Sequence, residues 1–179
     1  MAGRLAVSVG VVLLSVGVVA ARSGSAGGSK HLCVPHQLRA TAGLQGATGS
    51  QLGGAMLMNV GMARCVLPRT APRVSLAWHG HRLSVHQVPF PKRWLDAEYP
   101  SGSSRLKVLR PGQRAYVILQ WWNWCGPRPW GNGYFPGVVQ MELPGQAGAI
   151  IAPLRETATP FCNRPPSTLR VSGFLRPPR

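Results

Sequence analysis

Residues 114–130 read RAYVILQWWNWCGPRPW, and the first twelve of them form the longest strand candidate in the chain. Side chains of an extended segment alternate between two faces. Ala115, Val117, Leu119, Trp121 and Cys125 therefore share one face, while Tyr116, Ile118, Gln120, Trp122 and Trp124 share the other. The first set reads as core. The second would be surface in a simple two-layer β protein, and large exposed aromatics call for a cause. Two readings stay open: Tyr116, Trp122 and Trp124 form a candidate ligand or partner surface, or the loop at 126–136 folds over the tryptophans and buries them. Trp130 belongs to that loop.

Outward from this strand, no stretch of 12–15 residues shows helical periodicity. Short runs of strand-like composition recur instead, separated by Gly and Pro. They are LRATAGL (38–44), GAMLMNV (54–60), CVL (65–67), RVSLAW (73–78), HRLSV (81–85), GVVQMEL (137–143), GAIIAPL (148–154) and STLRVSGF (167–174). His79-Gly80 reads as a tight hairpin connection, RPGQ (110–113) as a turn before the long strand, and 89–104, with three prolines, as a long loop. Seven to nine strands at this spacing, without helices, predict an all-β sandwich.

The N-terminus begins with Arg4 and then 17 uncharged positions, 5–21. As a helix these reach about 26 Å, against a hydrocarbon core of roughly 30 Å. Small residues at Val19-Ala20-Ala21 and Gly24-Ser25-Ala26 suit signal peptidase. Residues 1–26 are expected to be a signal peptide and its cleavage region, 27–32 a linker, and 33–176 a single β domain. An uncleaved anchor is the competing reading. Cys33 follows Lys30-His31-Leu32, too far beyond the apolar run for a lipidated cysteine. Four cysteines, Cys33, Cys65, Cys125 and Cys162, lack CxxC or metal-finger spacing. In an oxidising compartment they predict two disulfides, with three pairings open. The expected location is secreted or envelope-associated.

Twenty basic residues against four acidic ones give a formal net charge of +16. Such a surface attracts polyanions in a salt-dependent way. The arginines are scattered, without the block of five or six that marks a nucleic-acid arm, so no specific nucleic-acid binding is expected. Catalytic constellations are poorly represented. His79, His81 and His86 have no nearby carboxylate or further cysteine to complete a metal site. No Gly-x-Ser-x-Gly elbow or phosphate loop occurs. Paired-carboxylate glycosidase chemistry could use Asp96 with Glu98, or Glu142 with Glu156, but Asp96 and Glu98 read more simply as solvated charge in a proline-flanked loop. No enzyme activity, cofactor or metal is expected.

The order of several motifs resembles a family of actinobacterial exported domains of unknown function, the one numbered forty-two thirty-two. CVPHQLRATAGLQGATGS resembles its opening cysteine, strand and Gly/Ala turn. LMNVGMARCVL resembles its Asn-x-Gly and Cys-x-Leu segment, and APRVSLAWHGHRL its Pro-x-Val-x-Leu strand and hairpin. VLRPGQRAYVILQW is similar to its Leu-x-Pro-Gly-Gln turn and strand, and TPFCNRPPSTLRVSGF to its closing cysteine and terminal strand. The resemblance runs from about Cys33 to Phe174. It implies an immunoglobulin-like β-sandwich, with Cys33 joined to Cys65 and Cys125 to Cys162, and it implies no activity. Many relatives look like lipoproteins, from which this chain departs. The functional expectation is a non-catalytic exported binding module whose partner is an unknown protein or an anionic envelope polymer. A basic electrostatic adhesin for wall polymer or lipid, and a secreted hydrolase without a recognisable motif, are the alternatives.

Overall fold

A ten-residue strand, Arg114–Asn123, occupies the middle of the larger of two main sheets. The computed structural model describes residues 31–99, 104–131, 133–155 and 157–178, so the expected signal segment and most of the linker lie outside the described residues. Within them the chain is nearly all β. The strands are β1 (Leu38–Ala47), β2 (Ser50–Asn59), β3 (Cys65–Val66), β4 (Arg73–Trp78), β5 (His81–Arg82) and β6 (His86–Pro89). They continue with β7 (Val108–Leu109), β8 (Arg114–Asn123), β9 (Tyr134–Phe135) and β10 (Val138–Glu142). The last are β11 (Ala149–Pro153), β12 (Thr157–Ala158) and β13 (Thr168–Val171), and one helix, α1 (Lys92–Glu98), comes after β6.

One sheet has the order β1-β2-β8-β13-β6 and the other β11-β10-β4-β5; β12 pairs with β9 and β3 with β7. All pairings are antiparallel except β13 with β6. Two-residue hairpins at Thr48-Gly49 (φ 31° and 76°) and His79-Gly80 (φ 47° and 79°) use two consecutive left-handed residues. That is the turn whose twist matches the strands it joins. Inward residues of both sheets meet in one cluster: Leu57 of β2, Leu76 of β4, Val117 and Trp121 of β8, Met141 of β10 and Leu169 of β13. Each such side chain contributes about 1.5–3 kcal/mol when fully buried.

The expected long loop at 89–104 instead contains α1, and the expectation of no helices fails there. α1 is only seven residues long, has no acidic residue in its first turn and no side-chain cap. Its stability therefore comes from packing. It covers the outer face of the larger sheet, where Leu95 and Tyr99 pack with Phe90, Ile118 and Leu175 in a second small cluster. This layer explains why Ile118 and Gln120, on the expected surface side of β8, are buried.

Candidate functional site

The structure separates the aromatic residues of the 114–130 segment. β8 and β13 pair Leu169 with Trp121 but Thr168 with Asn123, so one step along β13 matches two along β8. Trp122 is the extra residue of this bulge, and a bulge re-aims the side chains beyond it. Strand geometry then ends at Asn123. Trp124 consequently turns inward, 3% exposed, with its ring 6.0 Å from Trp121 in an edge-on contact. Its Nε1–H donates to Pro127 O at 3.1 Å. Gly126 permits this fold-back, because a Cβ there would lie 2.4 Å from the Trp124 ring. Of the two readings left open for Trp124, burial is the one observed: the 125–130 loop covers it, and it does not join a ligand surface.

Trp130 joins the same cluster, 6.1 Å from Trp124, 5.0 Å from Phe135 and 6.1 Å from Trp78. Tyr116 is half-buried, its ring lying on Gly54, where a Cβ would come within 2.5 Å of it. Burial, with a smaller contribution from Tyr99, pushes its hydroxyl pKa up to about 12. Trp122 also stays on the outer face, half-buried, with the Arg170 guanidinium stacked 4.4 Å from its ring centroid.

The remaining candidates are dispersed. Asp96 pairs with Lys92 on α1, and Glu142 pairs with Arg82 across β10 and β5. Glu156 and the side chain of Glu98 lie outside the described part of the chain. His79 stacks on Trp78 at 4.4 Å beside the hairpin turn. No group of three metal-ligating side chains occurs among the described residues. Cys33 is bonded to Cys65, anchoring the segment before β1 to β3, and Cys125 to Cys162, anchoring the end of β8 to the 159–167 loop.

Phe161, the residue before Cys162, lines a groove of about 430 Å³. One wall is the β1–β2 turn, including Thr48, Gly49 and Ser50; the other is formed by Tyr134, Thr159 and Phe161, with Arg128 beside them. Alternation in β9 drives Phe135 into the core and leaves Tyr134 51% exposed. Phe161, fixed next to Cys162, is 73% exposed. The walls are held by local bonds: Thr159 N–H donates to Gly133 O at 2.7 Å, Trp130 Nε1–H to Thr159 Oγ1 at 3.1 Å, and Arg128 Nη2 to Pro160 O at 3.2 Å. Asn123 Nδ2 donates to Arg164 O at 2.6 Å, and Cys125 N–H to Ser167 Oγ at 2.7 Å, which tie the 159–167 loop to β8. The arrangement presents two aromatic rings, an arginine and hydroxyls at a preorganised concavity. Groups of these kinds can stack on and hydrogen-bond a ligand.

This groove is not among the sites expected from sequence. β9 and β12 are two residues each, too short to display a period. The one usable signal is Phe161 beside Cys162 in a proline-rich stretch. No family model, curated protein or solved structure matches this chain.

Proposed function

We propose that the chain is a non-catalytic extracytoplasmic binding module, an immunoglobulin-like β-sandwich that holds a linear glycan in the groove between Phe161, Tyr134 and the β1–β2 turn. The reading is carried by one observation: two highly exposed aromatic rings, Tyr134 and Phe161, border a groove secured by a disulfide. Exposed apolar surface of this kind marks an interaction site, and a sugar ring offers an apolar C–H face to stack on it. Arg128 and Thr159 supply polar partners for hydroxyls at the same place. Two disulfides point to an oxidising compartment. The single core shared by the two main sheets supports the sandwich reading.

Affinity measurement against linear hexasaccharides, neutral (gluco-, chito- and xylo-) and anionic (alginate), tests the proposal. At least one is expected to bind saturably. Phe161→Ala and Tyr134→Ala should each weaken it about tenfold or more, the loss of a stacking contact worth about 1–3 kcal/mol. Retention of none, or equal retention by both variants, sinks the glycan reading. The basic surface favours a second reading, an electrostatic adhesin. Binding that survives both substitutions and disappears with salt would select it.

A further inference from the structure

β1 closes one edge of the larger sheet and β11 one edge of the smaller, and these two edge strands pair in parallel at Ala42–Leu154 and at no other position. The phase of each edge follows from its other neighbour. Val60 N–H donates to Gln37 O at 2.8 Å, so the odd-numbered residues of β1 bond to β2. The main-chain groups of Ala40 and Ala42 therefore point the other way, toward β11. Leu154 N–H donates to Gly137 O at 3.1 Å, so Ala152 and Ile150 bond to β10, and Ala149, Ile151 and Pro153 direct their main-chain groups toward β1. A parallel ladder running on from Ala42–Leu154 to Ala40 needs an N–H from position 153. Pro153 has none, and the ladder stops there.

Beyond the break lies a groove of about 560 Å³, lined by Leu38 and Ala40 of β1 and by Ala149 and Ile151 of β11. It lies toward the Leu38 end of β1, whereas the glycan groove takes in the Ala47 end. A strand edge without a ladder is a template for another chain, and here two such edges border one groove. Val60 and Ile151, 46% and 49% exposed, give it an apolar rim. Arg39 and His36, both exposed, are its basic side chains, and no carboxylate is among the lining residues.

We propose that this groove takes a partner protein by strand addition: an extended segment alternating apolar and acidic residues pairs its main chain with Ala40 and Ile151. Main-chain bonds supply affinity, and alternate side chains supply selection, with apolar ones against Val60 and Ile151 and acidic ones toward Arg39. Charge decides against a second copy of this chain as the occupant. Each copy carries a net charge of +16 and would bring another Arg39 to the same edge.

The test is a titration of the full chain with the end-blocked peptide Thr-Val-Glu-Val-Glu-Val-Thr, with the same peptide N-methylated at alternate amides, and with a version carrying Lys in place of Glu. Amide chemical shifts and hydrogen exchange are the readouts. Saturable shifts at Ala40 and Ile151 are expected with the acidic peptide, and exchange of both amides should slow by about tenfold or more. N-methylation keeps the side chains and removes donors, so it should weaken binding by about tenfold or more, and the Lys peptide should not bind. Arg39→Glu, at an exposed position, should reverse the preference between the two charged peptides and leave Tm unchanged. Ile151→Pro, which removes an edge N–H but no bond to β10, should weaken the acidic peptide by about tenfold. Arg39→Glu and the N-methylated peptide keep the test valid where Ile151→Pro fails to fold. Phe161→Ala should bind the acidic peptide as the parent does, which separates this site from the glycan groove. Equal binding of the N-methylated peptide, equal binding of the Glu and Lys peptides, or no shifts at either edge overturns the proposal. Concentration-dependent dimerisation of the peptide-free chain that protects Ala40 also overturns it, in favour of a second copy.

Discussion

Trp124 and Phe161 are both aromatic, both next to a half-cystine, and do opposite work. Trp124 packs edge-on against Trp121 and near Trp130, and its indole N–H is satisfied by Pro127 O. Trp124→Ala should therefore cost about 3–5 kcal/mol, the range for large aromatic truncation in a core, seen as a drop in the denaturant midpoint. Phe161→Ala removes a ring that is mostly in water, so its stability should stay within about 0.5 kcal/mol of the parent. A comparable loss for Phe161→Ala would show that its ring is structural. Tyr116 supplies a pH signature. Its pKa, about 12 in the folded chain against 10.0 for an unperturbed tyrosine, means the unfolded state ionises first as pH rises. Its contribution is complete below pH 10 and is lost as pH climbs toward 12. Tyr116→Phe should flatten the stability curve over that window, measured by denaturant titration at each pH. The size is tempered by the partial exposure of the ring.

At the scale of elements, the Cys125–Cys162 bond links the strand carrying Trp121 to the loop carrying Phe161, closing a separation of 37 residues. A loop of that length corresponds to about 3–4 kcal/mol of stabilisation in the chain-entropy model. The paired substitution Cys125→Ser with Cys162→Ser should lower stability by about that amount and weaken glycan binding, because the Phe161 wall loses its anchor. Breaking the Cys33–Cys65 bond, at a separation of 32, should cost a similar amount and leave the groove intact. Equal loss of binding from both would contradict the assignment of the second disulfide to the site. The elements differ in how far they can be read from sequence. β4, β10 and β11 come from runs of strand-like composition bounded by Gly and Pro, and the observed strands fall within a residue of those runs. The inner face of β8 keeps its alternation up to Trp121. Beyond it, a bulge set by pairing with β13 changes the phase, and nothing local to WWNW encodes that register. α1 is hidden for a related reason. With prolines before it and no cap, KRWLDAE has few helix signals of its own, and it forms where Leu95 and Tyr99 can cover the sheet.

At the scale of the molecule, a charge of +16 bathes every site in a positive field, and this makes salt the discriminating variable. At about 0.5 M salt the screening length falls to roughly 4 Å, which removes long-range attraction but spares stacking and short hydrogen bonds. Binding of a neutral glycan at the groove should persist there; adsorption of polyanions to scattered arginines should not. The most direct measurement is a chemical-shift map of the full chain with the hexasaccharide it binds best, recorded at low salt and at about 0.5 M salt. The account predicts perturbations gathered on Thr48, Gly49, Tyr134, Thr159 and Phe161, with the same pattern in both conditions. Perturbations scattered over the arginine-bearing surface that vanish with salt, or none at the groove, would contradict it.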